Sequence, residues 1–387
     1  MGTLKVDTIQ DSGGNTILSS DGSGGFSNSL PAGKTSSYRN IIINGDMSIA
    51  QRGTSATGKT TTAYYTIDRY QTLIENIGTW SISQSTDVPS GQGFGYSQKI
   101  NCTTADASLA AGDRMFYRQS FEGQNLQHLK KGTSNAESLT LSFWVKSNKT
   151  GTYIVEFWDH DNSRHINKSY TVSSASTWEK KTITIDGDTT GAFTNDNNLS
   201  FHVAWWLGAG SDNSSGTLQT SWGPQTIANR AVGQVNLADS TSNEWYITGV
   251  QLEVGTTASD FEFLPYDVNL QRCYRYCQVL CSESNAGALT GGFRNSGSFQ
   301  CGLTFPVPMR SSPSVTLKGL RLHDLNDGDN LDVSSVSIVN ATGTKGIWLS
   351  GNNGGTGTTA GVCVLYGYNA SPTSGVLSYG VLCESEL

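Results

Sequence analysis

From Ile41 to about Pro265, apolar and polar residues alternate in short segments separated by clusters of Gly, Asn, Asp and Ser. A period of two puts successive side chains on opposite faces of a strand, and turn residues at short intervals end one strand and start the next. The clearest strands are LTLSFWVK (139–146), YIVEFWDH (153–160), KKTITID (180–186), LSFHVAWW (199–206) and EWYITGVQLEV (244–254). This succession predicts a β-sandwich or jelly roll. No similarity recurs at a fixed period of about 20–50 residues, which argues against a propeller, solenoid or long β-helix.

Either side of this region the pattern changes. Residues 1 to about 25 alternate only at Leu4 and Val6 before turn signals take over, so they read as a short arm. The stretch SGGFSNSLPAGKTSS (23–37) has the composition of a linker. At the other end VNLQRCYRYCQVL (268–280) is spaced as one helix or an extended crossing, and β character returns from about 282. The predicted organisation is all-β: an arm and linker over 1–36, a central sandwich over 37–267 and a smaller C-terminal β domain over 268–387.

Strand parity singles out three tryptophans. In 139–146 the apolar set is Leu139, Leu141, Phe143 and Val145, which leaves Trp144 on the polar side. In 153–160 Trp158 shares its side with Glu156 and His160, and in 199–206 Trp206 shares its side with Ser200 and His202. Flat rings beside hydrogen-bonding groups suit sugars, whose C–H faces are apolar and whose hydroxyls need partners. Trp144, Trp158, Trp206, His160, His202 and Glu156 are therefore expected to form one glycan-binding patch.

Composition narrows the classes. The formal charge is −7 and no Lys/Arg-rich run occurs, so nucleic-acid binding lacks its usual electrostatic drive. The opening MGTLKVDTIQ does not read as a signal peptide, and no apolar run approaches the ~18 residues of a membrane span. A soluble chain made in a cytoplasm, without membrane insertion, is expected. Seven cysteines at uneven spacing do not predict a disulfide framework, and Cys273, Cys277 and Cys281 read as small buried apolar residues.

Motifs for chemistry are weak. GTSATGKT (53–60) matches the phosphate-loop expression, but TTTAYYTIDRY follows it, a β-branched and aromatic run where a helix is required. Asp159–Ser163 and Asp324–Asp329 begin like calcium loops and lack the later Gly and Glu. No G-x-S-x-G or H-E-x-x-H occurs, and the chain is read as a non-enzyme.

Several segments resemble a known family. NIIINGDMSIAQRG (40–53), YTIDRY (65–70) and ITGVQLEVGTTASDFEFLPYDVNLQRCYRYC (247–277) resemble signatures of a domain common in tail-fibre and related structural proteins of tailed bacteriophages. The leader GTLKVDTIQDSGGNTIL (2–18) resembles the start of tail fibres of marine and cyanobacterial phages, and LTFPVPMRSSPSVTL (303–317) the strand opening their C-terminal domain. The resemblance implies a virion protein on the tail or particle surface: a homotrimer attached through its N-terminal arm, with a central jelly roll like a carbohydrate-binding module that meets host surface glycan. It also leaves a role as adaptor or capsid decoration protein, and, with less support, as glycan depolymerase. By likeness to carbohydrate-binding jelly rolls, Asp46 and Glu253 are candidate ligands of a structural calcium.

Overall fold

The computed structural model describes residues 38–280 without interruption and, outside them, residues 6–10, 12–14, 16–20, 26–28, 289–295, 298–318, 320–324, 330–332, 335–352, 362–367 and 380–387. Near the N-terminus, β1 (Thr8–Gln10), β2 (Thr16–Ser20) and β3 (Phe26–Asn28) pair antiparallel as a small sheet.

The central region carries β4 (Ser55–Lys59), β5 (Tyr70–Glu75), β6 (Thr79–Ser85), β7 (Ser97–Thr104), β8 (Arg114–Glu122), β9 (Leu139–Ser147), β10 (Gly151–Asp159), β11 (Arg164–Val172), β12 (Glu179–Ile185) and β13 (Leu199–Ala209). The short helix α1 (Ser211–Ser214), β14 (Gly223–Pro224) and β15 (Glu244–Val254) complete it. A first sheet has the order β14-β11-β10-β13-β8-β5, and a second the order β12-β9-β15-β7-β6-β4. Apart from the hairpins β10–β11 and β6–β7, neighbouring strands are not consecutive in sequence, and every pair is antiparallel, which gives a sandwich of jelly-roll type.

The core lies between the sheets. Tyr153, Val155 and Phe157 of β10 and Phe201, Val203, Trp205 and Leu207 of β13 meet Leu141, Phe143 and Val145 of β9 and Ile247 and Leu252 of β15, all buried. β15 is bulged between Thr248 and Gln251, and Gly249 takes φ +62 there. Its Val250 turns away from β9 to donate to the Gly45 carbonyl at 2.9 Å. A side chain at Gly45 would lie 2.1 Å from the Val250 carbonyl oxygen, so only glycine allows this approach.

The segment 268–280 is neither a single helix nor a crossing. Helix α2 (Tyr266–Tyr274) ends and β16 (Cys277–Leu280) begins, because the last four residues find a strand partner far along the chain. The strands that follow are β17 (Leu289–Asn295), β18 (Ser298–Thr304), β19 (Ser314–Lys318), β20 (Leu320–Asp324), β21 (Asn330–Asp332), β22 (Ser335–Gly343), β23 (Gly346–Asn352), β24 (Val362–Gly367) and β25 (Gly380–Glu384). They form a three-stranded sheet, β16-β25-β19, and a seven-stranded sheet, β21-β20-β24-β17-β18-β23-β22.

Ion pairs tie the chain end to the sandwich. Arg52 binds Glu384 at 2.6 Å and Glu386 at 3.0 Å, and Arg69 also meets Glu386. Arg310 donates to the carbonyls of Asn197 and Ser385. Cys273 and Cys277 are free and buried, and burial pushes both thiols well up; Cys281 lies outside the described residues.

The phosphate-loop match is an edge strand, β4 paired to β6, and the Lys59 ammonium sits 5.3 Å from the Tyr65 ring. The residues after it form no helix, and they run irregularly until β5 starts at Tyr70. Asp159 turns the β10–β11 hairpin, where it accepts from the Asn162 amide at 3.1 Å and pairs with Lys131 at 2.5 Å. The other acidic turn, 324–329, lies outside the described residues beyond Asp324.

Candidate functional site

Parity places Glu156, Trp158, His202 and Trp206 on the outer face of the first sheet, opposite the core set. Register then brings them together: Trp158 pairs with His202 across β10–β13 and with His165 across β10–β11, while Trp206 faces Phe116 of β8. His160, just beyond β10, donates its backbone amide to the Ser200 carbonyl at 2.8 Å and remains beside β13. Five of the six predicted residues therefore cluster.

The cluster is mostly covered. The connection from β13 to β15 folds back over this face and lowers Ala231 onto Leu73, Phe116, Ile154, Ala204 and Trp206, a second apolar cluster outside the sandwich. Arg230 from the same connection reaches Glu156 with two hydrogen bonds, Nε to Oε1 at 2.7 Å and Nη2 to Oε2 at 2.8 Å. Its guanidinium lies 4.3 Å from the Trp158 ring centre and 4.9 Å from that of Trp206. Glu156 and Trp206 have no exposed surface and His202 has 1%. These three cannot touch a glycan, which corrects the expectation of an open patch: strand parity says which face a side chain takes, and a later loop decides whether that face meets water. Trp158 and His160 remain half-buried, at the edge of the cover.

Trp144 is separate. It stands on the outer face of the second sheet, next to Thr248 of β15 and Lys180 of β12. There it packs with Phe94 over Gly249, and Phe94 joins Phe261 and Phe263 in an aromatic group. Trp144 and Trp158 thus occupy opposite sides of the sandwich and form no shared surface.

The charges beneath Trp158 fix its neighbours. Burial alone would raise the Glu156 carboxyl, but the Arg230 charge and its two hydrogen bonds, with His165 and His202 close by, hold it well below the usual range. His202 Nε2 is 3.6 Å from Glu156 Oε2, and His202 Nδ1 is 2.8 Å from His160 Nε2. Burial brings His202 down to about 4, and burial with the nearby charge of His202 and Arg118 brings His160 down to about 3. Both rings are neutral at pH 7. One of the two facing nitrogens, His202 Nδ1 or His160 Nε2, donates to the other. The result is a half-open tryptophan stacked on a half-buried imidazole at 5.5 Å and 21°.

Asp46 and Glu253, the candidate calcium ligands, are each engaged by donors of the protein. Glu253 accepts from Gln251 Nε2, Ser259 N and Ser259 Oγ at 2.6–2.9 Å and has Arg39 at 3.8 Å. Asp46 accepts from Ser48 and Asn269, and burial raises its carboxyl. Neither carboxylate belongs to a cluster of three or more potential ligands among the described residues.

Two features escaped the sequence reading. Arg230 is the only basic residue between Gly210 and Val235, and Glu156 is the one acid on the outward parity of β10; that pairing of isolated opposite charges was the available signal. The second is the contact between the two family-like segments. Ile41 N donates to the Leu252 carbonyl at 2.9 Å, Asn269 bonds Asn44 and Asp46, and Gln51 reaches the Cys277 carbonyl. The opening and closing signatures form one seam.

No protein-family model and no curated protein matches this chain. Solved structures with related folds include the enzymatically active domain of tailspike protein 4 of bacteriophage CBA120, at 12% identity over 57% of this chain and TM-score 0.29; the chain spans 22% of that protein. A putative sugar binding protein from Bacteroides thetaiotaomicron matches at 11% identity over 56% of this chain and all of the other, with TM-score 0.30. A family 11 carbohydrate-binding module of a Clostridium thermocellum cellulase matches at 13% over 52% of this chain and 98% of the module, with TM-score 0.24.

Proposed function

We propose that this chain is a tail-fibre or receptor-binding virion protein of a tailed bacteriophage, without enzymatic activity, that recognises a host surface glycan through Trp158 and His160. The observation that carries the glycan reading is the half-open Trp158 ring stacked on the half-buried His160 imidazole, both held by the buried Glu156–Arg230–His202 network. Recognition of a sugar needs an apolar ring and a polar group at fixed relative positions, and a network that orders them beforehand lowers the entropy lost on binding. The phage assignment rests on the resemblance of segments 40–53 and 247–277, and with it go a homotrimer and attachment through the N-terminal arm.

A role as adaptor or decoration protein draws support from the opposite face, where Phe263 is 51% and Tyr96 40% exposed, a surface suited to protein contact. Binding of the full chain to intact host cells separates the two. Trp158→Ala and His160→Ala are each expected to weaken cell binding about tenfold or more, by analogy with loss of a stacked ring, with melting little changed for His160→Ala. Cell binding that survives both substitutions refutes the glycan site. Immunogold labelling of intact particles tests the virion assignment.

A further inference from the structure

The seam between the sandwich and α2 encloses a cavity of about 570 Å³, within the roughly 300–1,000 Å³ of small-molecule sites. Its apolar wall comes from Ile41 and Ile43 of the opening segment, Phe121 at the end of β8, and Val268 and Val307. Tyr38, 59% exposed, stands at the rim. Asn125, His128 and Gln271 add exposed polar side chains. This is the mixture of flat apolar surface and hydrogen-bonding groups that a sugar ring requires.

Two guanidinium groups line the same cavity, and they differ. Arg275 is neutralised: its Nε and Nη2 each bond Glu122 at 2.6 Å, and Glu122 also receives the Tyr276 hydroxyl. Arg272 has no carboxylate within ion-pair distance among the described residues. Its hydrogen bond goes to the Asn40 carbonyl at 3.2 Å. The nearby acid, Glu262, is occupied by the backbone amides of Tyr38 and Asn40, both at 2.9 Å, and of Arg39 at 3.4 Å. Burial presses the Arg272 pKa down, with no bonded anion to oppose it. A half-buried cation with no carboxylate paired to it directly, facing a cavity of ligand size, favours an anionic ligand.

We infer that this cavity binds a carboxylated sugar unit, with the carboxylate on Arg272 and the ring against Tyr38 and the Ile41–Ile43 wall. The inference rests on the glycan reading above but uses a different site. His128 lines the same cavity and offers it a hydrogen-bonding ring nitrogen.

The test is calorimetric titration of the full chain with methyl glucuronide, methyl glucoside and acetate. A charge-assisted contact of this kind corresponds to about a tenfold to hundredfold effect. The glucuronide is therefore expected to bind at least about tenfold more tightly than either the glucoside or acetate. Arg272→Gln should abolish that preference without lowering the melting temperature. Should the variant fold poorly, wild-type protein in about 0.5 M NaCl provides a second reading, because screening must weaken glucuronide binding more than glucoside binding. Equal affinity for glucuronide and glucoside, acetate binding as tight as glucuronide, or a preference insensitive to both Arg272→Gln and salt overturns the inference. Absence of glucuronide binding while host-cell binding still depends on Trp158 sinks this site alone. Absence of both sinks the glycan reading with it.

Discussion

Replacing Glu156 with glutamine tests the claim that a buried ion pair organises the outer face of the first sheet. The side chain keeps its shape and loses its charge. Arg230 then stays between Trp158 and Trp206, 4.3 and 4.9 Å from their ring centres, with Asn213 at 3.5 Å as its other polar neighbour. One glutamine donor must also face a guanidinium donor. Breaking a buried pair by removing one partner costs about 3–5 kcal/mol, because the remaining charge is desolvated without compensation. That is a large share of the ~5–15 kcal/mol of a typical domain, and at roughly 2–4 °C per kcal/mol for a domain this large it should lower Tm by about 6–20 °C. Urea denaturation followed by tryptophan fluorescence gives the free energy. The double variant Glu156→Leu/Arg230→Met, which removes both charges, should recover most of the loss. A Glu156→Gln cost below about 1 kcal/mol, the range of exposed pairs, or a double variant whose cost is the sum of the single ones, refutes the argument.

Other outcomes follow from the same geometry. Trp206→Ala should cost about 3–5 kcal/mol of stability, and a variant as stable as wild type would show that the β13–β15 connection does not cover this face. His160 and His202 are neutral in the folded chain where an unfolded histidine, with a pKa near 6.5, already binds a proton, so their contribution is complete above pH 6.5 and falls toward pH 4 by up to about 1.4 kcal/mol per pH unit for each ring. Asp68, which burial raises to about 6, acts in the opposite sense over the same window, so the measurement is the difference between wild type and His202→Asn, and parallel pH–stability curves would contradict it. Gly45→Ala should destabilise by about 1–3 kcal/mol, since its methyl group meets the Val250 carbonyl; unchanged urea unfolding would show that the seam yields. Glu386→Gln removes the partner of Arg69 and one partner of Arg52 and should cost about 3 kcal/mol, read as faster proteolytic release of the C-terminal strands. Sedimentation of the full chain should give a trimer, and a monomer at micromolar concentration would count against the proposed assembly.

Period-two alternation alone determined the strands at 139–147, 151–159, 179–185, 199–209 and 244–254 to within about three residues, and the parity of Phe143, Phe157 and Trp205 already placed them in the core. Parity is a local property of the extended backbone, so it can be read from neighbouring residues. Which strands lie side by side is not local. Trp158 and His202 met because β10 pairs with β13, whereas Trp144 went to the other sheet because β9 pairs with β15 and β12. The same limit hid the cover over Trp206: the connection carrying Arg230 has little apolar periodicity, and it is drawn to the face by a carboxylate 74 positions earlier. The helix at Tyr266–Tyr274 stops where β25, more than 100 residues on, offers Cys277–Leu280 a strand partner. Hydrogen-bond partners and charge compensation across such separations are settled only when the chain closes on itself, and for that reason the tertiary structure, not the pattern of residues, decided which tryptophan stays open to solvent.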